Sequence, residues 1–151
     1  MNILKLELTH FGKFHLKTIT FTSGLNIVYG KNEAGKSTIH AFVRSMLFGI
    51  PDTEEGNERY SHYLPWETPH DFCGRMWIKK DDKVYRIERN FLRPQPTVRI
   101  FDDETDESLQ PAKQHLRQIL SGLTETSYLN TICIEQLKSA TDPQLAKELE
   151  D

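Results

Sequence analysis

Nine residues constrain this chain more than any others. Residues 30–38 read GKNEAGKST and fit G-x-x-x-x-G-K-[ST] at each fixed position: Gly30, Gly35, Lys36 and Ser37. An apolar, strand-like run, LNIVY at 25–29, leads in, and a helix-like run over 38–48 leads out. Strand, tight loop and helix form the context in which this motif holds phosphate. Successive backbone N–H groups in such a loop make a concave anion site, and the helix N-terminus adds partial positive charge. Gly30 and Gly35 let the backbone approach phosphate oxygens without a Cβ in the way. Lys36 is placed to reach β- and γ-phosphates, and the Ser37 hydroxyl to coordinate Mg²⁺. A glycine-containing turn that merely caps a helix is the structural alternative, and it does not require all four fixed residues and both flanks.

The 151 residues suit one compact domain. With 37% hydrophobic and 27% charged residues the composition is globular, and a net charge of −3 gives no global basic signature for nucleic acid. Cys73 and Cys133 lie far apart and lack metal-ligand spacing, which fits free thiols in a reducing cytoplasm. The first residues, MNILKLELTHFGKF, carry Lys5 and Glu7 and read as neither a leader peptide nor a membrane span.

Alternating residues predict strands at 3–8 and 16–22, separated by a turn at Phe11-Gly12-Lys13-Phe14. The helix after the phosphate loop carries Ile39, Phe42, Val43, Met46 and Leu47 at helical spacing and ends at Gly49 and Pro51. Residues 51–71 are polar, acidic and interrupted by prolines, and read as a long loop. Strand-like runs follow at 72–79, 84–91 and 97–101, the first two joined by an Asp81-Asp82 turn. Residues 102–108 read as an acidic turn. A helix is expected over 111–120, with Ala112, His115, Leu116, Ile119 and Leu120 on one side and Gly122 past its end. Residues 125–130 suit a short helix and 131–134 a buried strand. Asp142-Pro143 then starts a helix that runs to residue 151.

This order of pieces resembles the N-terminal lobe of the SMC/RecF/RecN/SbcC-type ABC ATPases, and within them the YhaN-like (AAA domain) proteins. The resemblance rests on the FGKF turn, on LNIVYGKNEAGKSTIHAFVRSMLFG and on the late ICIEQL segment, and it covers almost the whole chain. It implies an α/β P-loop NTPase fold with a mixed core sheet and an added antiparallel sheet, for which the run 72–101 is the candidate. It implies ATP and Mg²⁺ as cofactors, held by Asn32, Glu33, Ala34, Gly35, Lys36, Ser37 and Thr38. Gln136, just after the 132–134 run, matches the glutamine that in this family touches Mg²⁺ and the attacking water. Lys36 and Gln136 are thus the expected catalytic residues, and Ser37 and Gln136 the metal ligands. The turn at Gly12 and Lys13 maps near the nucleotide.

The family's signature motif, Walker B aspartate, catalytic glutamate and switch histidine have no counterpart here. Asp102-Asp103-Glu104 follows an apolar run, but Arg99 interrupts that run and an acidic turn is the better reading. The resemblance therefore implies residues 1–139 as half of an ATPase and 140–151 as the start of a coiled-coil arm. A C-terminal lobe and a nucleotide-dependent dimer of heads would complete it. DNA as a partner rests on the resemblance. Arg75, Lys79, Lys80, Lys83, Arg86, Arg89, Arg93 and Arg99 could face a phosphate backbone or form a solvated sheet surface. Related ATPases place an arginine near nucleotide or DNA in the position of Arg59 in the long loop; a surface arginine is its plain reading. A nucleotide-gated scaffold with little turnover and a P-loop phosphotransferase are the other function classes weighed.

Overall fold

The computed structural model describes residues 2–21, 33–122 and 124–125, with side chains in the first helix from Thr38 onward. The strands expected at 25–29 and 131–134 and the helix expected over 144–151 lie outside these residues. Six strands form one sheet: β1 (Asn2–Phe11), β2 (Phe14–Thr20), β3 (Cys73–Lys80), β4 (Lys83–Asn90), β5 (Thr97–Asp102) and β6 (Glu107–Leu109). Their order is β2-β1-β3-β4-β5-β6, and every neighbouring pair is antiparallel. The helices are α1 (Glu33–Phe48), α2 (Glu54–Tyr63) and α3 (Ala112–Leu120). The antiparallel sheet implied by the resemblance is therefore present. The strands that would make a core sheet mixed fall outside the described residues.

The plain alternation expected of the first strand is modified. Ile3, Leu6, Leu8 and Phe11 are its buried residues. Their unequal spacing follows register shifts against β3 between Ile3 and Lys5 and between Glu7 and His10. Each bulge moves the next side chain to the other face.

α1 lies on the apolar face of this sheet. Ile39, Phe42, Val43, Met46 and Leu47 are all at most 1% exposed, the stripe its sequence predicts. Phe42 seats over Gly74 of β3, where an added Cβ would lie 2.3 Å from the ring. An aromatic cluster surrounds it: Phe11 packs on Phe42, Tyr63, Phe72 and Phe91 with ring centroids 5.1–5.8 Å apart. At the C-terminal end of α1, Arg89 Nε donates to the Met46 carbonyl at 2.6 Å. That places a cation at the negative end of the helix dipole. Burial lowers the Arg89 pKa to about 10.

The stretch 51–71 is not the long loop its composition suggests. Thr53 caps α2 by accepting from the Gly56 N–H at 3.0 Å, with Glu54 and Glu55 in the first turn. Most of the α2 surface faces water, so its composition conceals the helix. The expected acidic turn is also more ordered than predicted: β6 pairs with β5, Ile100 opposite Leu109. α3 matches its predicted face, with Leu116 and Ile119 buried. Ser121, rather than Gly122 alone, takes the left-handed cap conformation, and Lys80 Nζ donates to the Gln118 and Ile119 carbonyls at 2.8 Å.

Candidate functional site

α1 begins at Glu33, five residues before the helix the sequence predicts. Glu33, Ala34, Gly35, Lys36 and Ser37 therefore belong to the helix itself, and Thr38 follows them at 6% exposure. Gly35 lies within the helix and does not break it. The first N–H groups of a helix have no intrahelical carbonyl to bond, which leaves them for an anion. Asn32 and Gln136 lie outside the described residues, so the fold positions most of the expected loop and leaves the glutamine unplaced.

Three segments converge beside Thr38. The β1–β2 turn is drawn in by a hydrogen bond from the Gly12 N–H to the Tyr63 carbonyl, 2.6 Å long. Gly12 sits at φ +60°, a left-handed turn conformation that suits glycine. A Cβ on it would lie 3.4 Å from both Thr38 Cγ2 and Tyr63 Cδ1. The turn, the start of α1 and the end of α2 thus enclose a cavity of about 370 Å³, lined by Gly12, Lys13, Thr38, His62, Tyr63, Leu64 and Trp66. Gly12 and Lys13, expected near the nucleotide, lie beside Thr38 of α1. Gly12 gives its N–H to Tyr63, and Lys13 lines the same cavity, with its Nζ 5.8 Å from the Phe14 ring. Burial raises the Tyr63 pKa.

Arg59 points inward. It is 6% exposed, its Nη2 lies 3.4 Å from the Gly49 carbonyl, and its Nε lies 3.6 Å from Glu55. Burial first, and then Arg44, lowers its pKa. Arg44 pairs with Glu55 at 2.9 Å and with Glu125, joining α1 to α2 and to the segment after α3. Arg59 is thus buried between α1 and α2, with Nε and Nη1 lacking a hydrogen-bond partner among the described residues.

The basic cluster of the hairpins is also largely engaged within the fold. Arg75 lies 3.7 Å from Glu7 and from Glu88. Arg86 pairs with Glu88 at 2.8 Å, Asp103 at 2.9 Å and Asp106, which raises its pKa. Lys83 lies 3.7 Å from Asp102. Lys80 and Arg89 cap helices, Arg93 stacks 4.4 Å over Tyr60, and Arg99 lies over Phe101. Asp103 also accepts from Trp77 Nε1 at 3.1 Å, and Asp102 accepts from the Glu104 N–H at 3.0 Å. The acidic turn is therefore a pinned structural turn rather than a Walker B. His70 and Cys73 join no group of three metal-ligating side chains among the described residues.

A helix that begins inside a phosphate-loop motif, packed on a sheet whose first hairpin turns back to that helix, fits an α/β P-loop ATPase domain. The chain belongs to the AAA domain family, whose model matches residues 1–141. It is 43% identical over 56 residues to the uncharacterized protein YhaN of Bacillus subtilis (strain 168), covering 36% of this chain and 6% of that protein. It is 26% identical over 146 residues to the DNA double-strand break repair Rad50 ATPase of Thermococcus kodakarensis, covering 90% of this chain and 15% of that protein. Together these matches identify an SMC/Rad50-type ATPase lobe, and the chain spans only a small part of the length of either relative. Among the described residues no helix is long and apolar enough to cross a membrane.

Proposed function

We propose that this chain is the Mg-ATP-binding half of a DNA-associated, SMC/SbcC-like ATPase. The observation that supports the reading is that α1 begins at Glu33, inside the phosphate-loop motif, with a cavity lined by Thr38 near that end of the helix. The donor set fits the group. Unpaired helix N–H groups and the Lys36 ammonium suit phosphate oxygens, and a serine hydroxyl suits a hard divalent cation. When bound, Mg²⁺ neutralises charge on the phosphates. Lys36 holds the β- and γ-phosphates as negative charge redistributes between them, Ser37 orients the metal end, and Gln136 positions the attacking water. Residues 1–139 form the ATPase lobe, and 140–151 begin a coiled-coil arm. Hydrolysis requires a C-terminal lobe carrying the general base, and a dimer of heads in which ATP is enclosed.

A P-loop phosphotransferase needs arginines on helices turned toward the phosphates. Arg59 on α2 is buried against the end of α1 instead, which favours the ATPase reading. Calorimetric titration of Mg-ATP into the wild-type chain and Lys36→Ala tests the site. Binding by the wild type and its loss in the variant are expected. Equal affinity in the two would remove the site assignment.

A further inference from the structure

Trp66 is 83% exposed, the most exposed of the large apolar side chains among the described residues. An indole left in water forgoes roughly 1.5–3 kcal/mol of burial free energy available to a large apolar side chain. It therefore contributes little to the fold. Yet the segment that carries it is tied down on both sides. The Leu64 N–H closes α2 on the Tyr60 carbonyl at 2.9 Å, and the Gly12 N–H holds the Tyr63 carbonyl. Beyond Trp66, Glu67 lies 3.9 Å from His15 Nε2 of β2, and the Asp71 N–H bonds the Thr68 carbonyl at 3.0 Å. The backbone on both sides of Trp66 is thus held, and its indole stands in solvent.

That place borders the cavity that contains Thr38. Thr38 follows Ser37 in α1, so the cavity lies toward the same end of the helix as the residues assigned to the β- and γ-phosphates and their metal ion. A nucleoside triphosphate seated there by its phosphates has its ribose and base still to place. The cavity supplies an aromatic face in Trp66, beside a lining that includes Thr38 and His62. Stacking of a base on an aromatic side chain contributes about 1–3 kcal/mol and tolerates any base with a π-face.

We propose that Trp66 is the base-stacking platform of the nucleotide site. The proposal rests on the reading that Lys36 and Ser37 hold the triphosphate. Trp77 offers no such face, since its Nε1 is bonded to Asp103 and Lys5 Nζ lies 4.0 Å over its ring. Replacing it with phenylalanine leaves Trp66 as the single tryptophan, because the chain has 2.

The test uses the full chain in a Trp77→Phe background. Mg-ATP is expected to quench Trp66 fluorescence, and inorganic tripolyphosphate is expected to compete with ATP without quenching by itself. Calorimetry should show Trp66→Ala weakening ATP by about tenfold, the low end of the stacking range, with Trp66→Phe retaining most of the affinity. Tripolyphosphate should bind Trp66→Ala as it binds the parent. ATP binding that is lost on Lys36→Ala but unchanged on Trp66→Ala would overturn the platform alone. Equal losses of ATP and tripolyphosphate on Trp66→Ala would overturn it too, since they mean a disturbed phosphate loop. A parent chain that binds no ATP would overturn both this proposal and the reading beneath it.

Discussion

Gly74 has no side chain, and α1 occupies the space that leaves. A Cβ there would meet Phe42 Cε1 at 2.3 Å, Cζ at 2.5 Å and the Glu7 carbonyl oxygen at 3.0 Å. Phe42 cannot move away easily, because it is fully buried and packs edge-on against Phe11 with centroids 5.1 Å apart. Gly74→Ala should therefore destabilise the fold by about 1–3 kcal/mol, the usual penalty for overpacking a filled core. Urea denaturation should show a lower midpoint with little change in slope; an unchanged midpoint would mean that α1 does not depend on this seat. The neighbouring Cys73 has a chemical consequence of its own. Burial first and Asp71 second raise its thiol pKa, so less thiolate is present at neutral pH than in a free cysteine. Iodoacetamide at neutral pH should label the Cys73 peptide several-fold more slowly than a model peptide. Raising the pH should increase its rate up to a higher midpoint than the peptide's, both read by peptide mass mapping.

α2 shows how an element can be concealed. Its sequence, EEGNERYSHY, has a glycine, few apolar residues and prolines on either side. Only Gly56 and Arg59 are buried in it, so the hydrophobic period that exposed α1 and α3 is missing. The legible signal was the cap: Thr53 followed by two glutamates, with Tyr60 and Tyr63 three residues apart. Thr53→Ala should cost about 1 kcal/mol. Because α2 delivers Tyr63 and leads to Trp66, the loss should also appear as faster amide exchange across 54–64. No change in exchange would mean that the cap does not hold the helix. β2 to β5 and α3 were legible to within a residue or two because period-2 and period-3.6 burial were strong there. The bulges in β1 were not, since they arise from pairing with β3, seventy residues away. The site divided in the same way. The fixed residues of the phosphate loop are local and visible in the sequence. The cavity beside them is made by three separate segments, and only folding joins Lys13 and Trp66 to Thr38.

At the scale of the whole molecule, the two faces of the sheet have different tasks. One carries α1 and the apolar core. On the other, Glu7, Arg75 and Glu88 stand in register across β1, β3 and β4, and Arg86 extends the ion-pair network to the acidic turn. This arrangement bears on catalysis as well as on DNA. Asp102, Asp103 and Asp106, the acidic residues nearest in pattern to a Walker B, are committed to Lys83, Arg86 and Trp77. They lie in the turn between β5 and β6, far in the sheet order from the hairpin that meets α1. On the proposed reading the phosphate loop supplies the phosphate-binding groups, while the acidic turn is committed to Lys83, Arg86 and Trp77. The expected outcome is ATP binding without sustained turnover. Phosphate release by the isolated chain should not exceed that of Lys36→Ala, and adding the remaining lobe of the same protein should raise it by orders of magnitude, as expected when a missing general base and charge-stabilising groups are supplied. Sustained hydrolysis by these 151 residues alone, abolished by Lys36→Ala, would show that the base lies within the chain. The composite-site reading would then be wrong, and the phosphate-loop assignment would stand.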